Sequence, residues 1–256
     1  MTLRVTFLGA GGSTFTKTRG ALGLLINDDL LIDCGDGITQ KLVKIGSVNS
    51  IKTICITHLH CDHYIGIFSL LWHYWILNRK EDLKVIGPIG LKDTIETILT
   101  LIHSAEDMPT CKIIYEEFED SDEIFSIKSD YDIKGIKMAH YPLTFAYRIK
   151  DKESDKVICY SGDYKPNENL KLLAKDCDLL ISEATFPNSL ADMAHKHNHS
   201  TSVDAALIAQ ETNCKKLALV HISAVFERQL KKMETEASSF FGKEIILPED
   251  FTVVEV

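Results

Sequence analysis

In the stretch Ile54-Cys55-Ile56-Thr57-His58-Leu59-His60-Cys61-Asp62-His63 an apolar run ends in three histidines and an aspartate. Imidazole and carboxylate are the side chains that bind zinc and similar divalent ions at neutral pH. Positions 58, 60 and 62 alternate, which places their side chains on one side of an extended segment, while His63 turns to the other. That arrangement suits two metals side by side better than one. A solitary histidine is more often a core or surface residue. Three of the chain's ten histidines gathered here with an aspartate reverse that reading. Cys61, within the same stretch, is read as a filler rather than a thiolate ligand.

Thr53 to Ile56 reads as a buried strand and Tyr64 to Leu77 as a helix, so the ligand-type groups sit where a strand ends. Other apolar, strand-like runs end in the same kind of residue. Ile136 to Ala139 leads to His140, Val157 to Ser161 to Asp163, Leu179 to Ser182 to Glu183, and Leu217 to Val220 to His221. Sites in α/β proteins collect at strand ends, where a rigid sheet aims polar groups into a crevice. His199-Ser200-Thr201 precedes an amphipathic helix over Val203 to Thr212, with Ser200 or Thr201 as its cap. His195 and His197 read as exposed loop residues.

The remaining elements complete an alternating pattern. Leu3 to Leu8 is a strand followed by the turn Gly9-Ala10-Gly11-Gly12-Ser13. No apolar-periodic helix follows it, which argues against a dinucleotide fingerprint, although its N–H groups could face a substrate anion. Leu22 to Ile26 and Leu30 to Asp33 form a hairpin. A helix capped by Asp36 runs on to about Ile45, and Asp33 lies close to the strand that carries His58. Leu83 to Ile86 is a strand leading into a helix that ends near His103, a favourable place for a partly cationic ring. Glu116 to Asp132 is acidic and reads as a solvated hairpin region. Leu143 to Ile149 is a strand, and a helix near Glu227 to Ser239 and two short strands close the chain.

The 256 residues carry 45% apolar and 25% charged side chains and a formal net charge of −9, which leaves no overall basic footprint for nucleic acid. The seven cysteines form no Cys-x-x-Cys pair and read as reduced thiols. Met1-Thr2-Leu3-Arg4 enters a strand directly, and the apolar run Ile65 to Leu77 is too short to span a bilayer. The expectation is one soluble, cytoplasmic α/β domain over residues 1–256, with no membrane partner.

Thr57-His58-Leu59-His60-Cys61-Asp62-His63 resembles the His-x-His-x-Asp-His motif of the metallo-β-lactamase superfamily, and His140, Gly162-Asp163 and His221 follow in that family's order. Ser182-Glu183-Ala184-Thr185-Phe186 and His199-Ser200-Thr201 are similar to the tRNase Z group of phosphodiesterases. The resemblance implies a four-layer αββα sandwich with two divalent metals, zinc first and manganese or iron as alternatives. His58, His60 and His140 would hold one metal, Asp62, His63 and His221 the other, and Asp163 would bridge them. It further implies hydrolysis by a metal-bridging hydroxide, with Asp62 helping to activate the water, His199 facing the phosphate and Glu183 orienting His199. A homodimer is implied by the same relatives.

The departures are specific. Ser182 stands where many such sequences have histidine, and Tyr164 where threonine often follows Gly-Asp. The long arm that grips tRNA in tRNase Z is inserted between the stations of His140 and Asp163. Here that interval holds two strands and the turn Lys150 to Lys156. Leu143-Thr144-Phe145-Ala146-Tyr147 resembles a stretch of the armless cyclic phosphodiesterase of bacterial phosphonate breakdown. The expected substrate is therefore a small or cyclic nucleotide-like phosphodiester or an RNA end. Alternatives are a carbonyl substrate (lactone, thioester or β-lactam) and, despite the missing arm, tRNA 3′ processing.

Overall fold

The computed structural model describes residues 2–104 and 108–256. Strands β1 (Arg4–Gly9), β2 (Gly23–Ile26), β3 (Leu30–Ile32), β4 (Thr53–Cys55), β5 (Leu83–Pro88) and β6 (Ile113–Phe118) form one sheet. Strands β7 (Phe125–Lys128), β8 (Tyr131–Met138), β9 (Thr144–Asp151), β10 (Val157–Tyr160), β11 (Leu179–Glu183), β12 (Lys216–Val220) and β13 (Glu244–Ile246) form the other. The last strand, β14 (Thr252–Glu255), returns to pair antiparallel with β1. The helices are α1 (Ile38–Ile45), α2 (Cys61–Tyr64), α3 (Ile67–Ile76), α4 (Leu91–Leu101), α5 (Glu168–Ala174), α6 (Ala191–Lys196), α7 (Ser202–Glu211) and α8 (Leu230–Ser238).

Period-two alternation decides the layers. Along β12, Ala218 and Val220 face a core shared by both sheets, whereas Leu217 and Leu219 face the outer helices. Along β2, Leu24 and Ile26 join the shared core and Leu25 the opposite outer layer. Residues of α1, α3 and α4 cover the first sheet, and residues of α5, α7 and α8 the second. Each sheet is thus apolar on both faces, and burying both requires the four-layer αββα sandwich. Among the described residues no helix is long and apolar enough to cross a membrane.

The same topology brings strand ends together. β3 to β6 are parallel to one another, as are β10 to β13, and helices supply the crossovers that parallel neighbours need. β8 shares the direction of β10 because each is antiparallel to β9. Main-chain bonds tie the sheets where these strands end: the N–H of Phe145 donates to Thr57 O at 3.0 Å and that of His221 to Ala10 O at 2.9 Å.

Several local expectations need correction. The helix expected over Tyr64 to Leu77 starts earlier, at Cys61, and is interrupted at Ile65 and Gly66. Asp62 therefore lies in a helical turn rather than in an extended run, and one-sided alternation is not what brings it to the other ligand-type residues. Asp36 does not cap α1; the cap is Gly37 in the left-handed region, with no side-chain hydrogen bond. Only part of the acidic region is a hairpin, β7 with β8, because Ile113–Phe118 pairs parallel with β5 in the first sheet. His195 sits in helix α6, not in a loop, and its Nε2 lies 2.9 Å from Asp204 Oδ2. Helices α5 and α6 lacked a strong apolar period and are visible only in the structure.

The turn carrying Asp62 and His63 is pressed against the loop after β3. Cys34 N donates to His63 O at 2.7 Å, and Gly66 N to Cys34 O at 2.8 Å. A Cβ on Gly66 would stand 2.1 Å from Gly35 O, a backbone atom with little room to yield. Gly66→Ala is expected to destabilise the protein by about 1–3 kcal/mol through forced backbone movement, which thermal denaturation would read as a fall of several degrees. An unchanged melting temperature would contradict this packing.

Candidate metal centre

His58, His60, His140 and Asp163 each offer a ligand atom within 4.8 Å of the others, and Asp62, His63 and His221 do the same. His58 and His60 follow β4, with His60 capping α2, and His140 lies beyond β8. Asp163 lies beyond β10 and His221 follows β12. The structure thus brings all seven residues to one rim. A third grouping, Asp163 with His199 and His221, meets the same criterion. The Nδ1 of His199, however, is committed to Glu183 Oε1 at 3.0 Å.

Hydrogen-bond partners decide which ring nitrogen is bare. Asp33 Oδ2 accepts from His63 Nδ1 at 2.7 Å, which leaves His63 Nε2 as the nitrogen a cation would take. The Thr57 hydroxyl donates to Asp33, at 3.1 and 3.0 Å from its two oxygens, and can then accept from His58 Nδ1 at 3.0 Å. His140 Nδ1 donates to Asn198 O at 2.8 Å. The bare nitrogens therefore point at one another. His63 Nε2 lies 3.3 Å from His221 Nε2, and His58 Nε2 lies 3.0 Å from His60 Nδ1, which is 3.5 Å from His140 Nε2.

Ring nitrogens facing each other at these distances need a proton or a cation between them. Tetrahedral coordination with bonds of about 2.1 Å places ligand atoms roughly 3.4 Å apart. The carboxylates match: His221 Nε2 is 3.3 Å from Asp62 Oδ2 and 3.4 Å from Asp163 Oδ2, and His63 Nε2 is 3.5 Å from Asp163 Oδ1. Asp163 Oδ1 is buried without a hydrogen-bond partner, as expected of an oxygen reserved for a metal. The donor set fits divalent cations, and Asp163 stands between the two sets.

Protonation without a cation points the same way. Burial, with His63 next in importance, holds the His58 ring well below its usual range and neutral. Burial opposes charge on His63 as well, but Asp163 and Asp33 outweigh it and raise its value far above normal. Burial would raise Asp62, yet the His221 and His63 rings beside it bring it down to about 2. The carboxylates here attract positive charge, and a metal must displace the proton on His63.

His199 sits beside the cluster, its ring 5.2 Å from that of His140 and 5.7 Å from that of His221, with 19% of its side chain exposed. Glu183, fully buried, accepts from His199 Nδ1 and from Tyr164 N–H at 2.8 Å on Oε1, and from the Thr185 hydroxyl at 2.6 Å on Oε2. The two departures at Ser182 and Tyr164 answer each other, because Tyr164 OH lies 3.0 Å from Ser182 Oγ, both fully buried. Thr57 and Thr185 escaped the sequence reading. The only signal was a hydroxyl immediately before His58 and two positions after Glu183. His197 is exposed at the end of α6, Cys61 is exposed and outside the ligand groupings, and Gly12 packs so closely that a Cβ would meet the His221 ring at 2.9 Å.

This sandwich and rim define a tRNase Z-like, metal-dependent hydrolase of the metallo-β-lactamase fold. More narrowly, the chain belongs to the family described as Anti-Pycsar protein Apyc1, which matches residues 3–241. It is similar to Ribonuclease Z of Halorubrum lacusprofundi, 28% identical across 100% of this chain and 98% of the relative. That alignment runs over 307 positions against 256 residues here, so the relative carries segments without a counterpart in this chain. Among solved structures it is similar to human tRNase Z, short form, with a TM-score of 0.82 and 28% identity over 98% of each chain. The fold is shared with YhfI from Bacillus subtilis at a TM-score of 0.83 and 23% identity over 100% of each chain.

In the metal-free protein, burial lowers the basicity of His199, but the hydrogen bond and charge of Glu183 overcome it and take the value up to about 9 from an ordinary 6.5. A raised folded-state value stabilises the protein fully below pH 6.5, and that contribution fades as pH rises through about 9. The margin of metal-free wild type over His199→Gln is thus expected to shrink by about 2–3 kcal/mol across this window, as read by urea denaturation. A margin independent of pH would contradict the pairing.

Proposed function

We propose that this protein hydrolyses phosphodiesters, acting on a small, cyclic nucleotide-like substrate or an RNA end. The observation that carries this reading is His199, held on a buried carboxylate beside the metal-type cluster and open on one side. In this reading His58, His60 and His140 hold one divalent cation and Asp62, His63 and His221 a second, with Asp163 between them, zinc being favoured over manganese or iron. Cations there supply Lewis-acid charge for phosphoryl oxygens and make a nucleophile available near neutral pH. Asp62 accepts a proton from the attacking water, and the imidazolium of His199 binds the phosphoryl group or protonates the departing oxygen. Glu183 keeps that ring oriented and charged.

The size of the adjoining cavity supports a small substrate. It encloses about 330 Å³ between the Gly12–Ser13 turn and Phe186, Met193 and His197, the low end for ligand pockets. The Phe186 ring lies 6.1 Å from that of His199, where an aromatic base could stack against it. Between β9 and β10 only residues 152–156 intervene, so the interval leaves no space for a tRNA-gripping arm. We further infer one domain over residues 1–256, a cytoplasmic location and a homodimer.

A second reading, tRNA 3′-end processing, is favoured by the name Ribonuclease Z on full-length relatives such as that of Halorubrum lacusprofundi. Turnover of bis-p-nitrophenyl phosphate, cyclic nucleotides, precursor tRNA and a lactone or thioester by metal-loaded protein separates the possibilities. Phosphodiester turnover is expected, with a loss on the order of a hundredfold or more in His199→Ala. Turnover confined to precursor tRNA would favour the second reading. Carbonyl turnover indifferent to His199→Ala would overturn both.

A further inference from the structure

Thr185 lies between two functional side chains that the sequence separates. Its hydroxyl oxygen is 2.6 Å from Glu183 Oε2, 2.9 Å from His221 Nδ1 and 3.4 Å from His199 Nδ1. All three partners converge because β11 ends at Glu183, β12 ends next to His221, and the isolated bridge of Phe186 with Thr201 draws the His199 segment alongside.

A hydroxyl has one proton to give. Glu183 is fully buried and its carboxylate can only accept, so the Thr185 proton goes to Oε2. The remaining lone pairs accept, and the shortest contact left is His221 Nδ1. His221 therefore keeps a proton on Nδ1, which leaves Nε2, facing His63, Asp62 and Asp163 at 3.3, 3.3 and 3.4 Å, as the nitrogen for a cation. We propose that Thr185 is a positioning residue that lets one carboxylate, Glu183, hold His199 directly and fix the metal-binding tautomer of His221 through a hydroxyl. This rests on the reading of the cluster as a metal centre and adds a dependence confined to one of its two halves.

Without the hydroxyl, His221 Nδ1–H loses its acceptor and the ring is free to place its proton on Nε2, which cannot bind a cation. Outer partners of metal-binding histidines commonly govern affinity by 10–100-fold. His58 and His140 draw on Thr57 and Asn198 instead, and His60 lies against those two rings.

The test is a zinc competition titration against a chromophoric chelator, using metal-free wild type, Thr185→Val and Thr185→Ser, with thermal denaturation as a check of folding. Wild type is expected to take up two equivalents. In Thr185→Val one equivalent should keep its affinity and the other weaken about 10–100-fold, and Thr185→Ser should restore it. Thr185→Ala takes the place of the valine variant if that fails to fold. Unchanged affinities, equal weakening of both equivalents, or a serine variant as weak as valine would each overturn the proposal. Unaltered uptake would do so while leaving the phosphodiesterase reading intact. A wild type that takes up no zinc would remove the metal reading as well.

Discussion

Five imidazoles and two carboxylates aim their electron pairs into one small volume, and the surrounding architecture prevents their retreat. Every histidine of the cluster except His60 has its other nitrogen engaged by an oxygen acceptor: Asp33, Thr57, Asn198 or Thr185. Rotating any ring away would strand a buried polar group, a loss of about 1–3 kcal/mol. The crowding within the cluster is therefore maintained by the hydrogen bonds outside it. Asp33 and Glu183 do most of this, one behind β4 and the other at the end of β11. Each is paired with a threonine hydroxyl that extends its reach to a further imidazole.

The site follows from sheet geometry. A parallel strand can deliver one or two polar residues at its end while its interior stays apolar. Collecting seven ligand-type groups therefore takes several strands running the same way. β8, β10 and β12 do so in one sheet while β4 ends at the same rim in the other, and the close approach of Gly35, Gly66 and Gly12 lets the loops beyond them touch.

Much of this was legible in the chain. Strands announced themselves by apolar runs, and the residues that end them, His58, His140, Asp163, Glu183 and His221, are where the structure places them. What failed was local geometry set by tertiary packing. Asp62 belongs to a helical turn because the Cys34–Gly35 loop locks the segment after His60. Asp36 lost the capping role to Gly37, which alone adopts the left-handed backbone easily. Helix α6 was missed because its six residues are too few to reveal a period. Thr57 and Thr185 were silent for another reason: a hydroxyl acquires meaning only from what surrounds it, and its partners come from distant parts of the chain.

The division of the cluster between the sheets bears on how the molecule assembles. His58, His60, Asp62 and His63 come from the first sheet, while His140, Asp163 and His221 come from the second, and the ring contact of His63 with His221 spans 158 residues. Neither half holds the full donor set of either candidate cation, so a cation held as proposed would draw on both layers. Contacts of such long range form slowly, since loop closure precedes their reward. A cation bound as proposed would tie the two layers together at this rim.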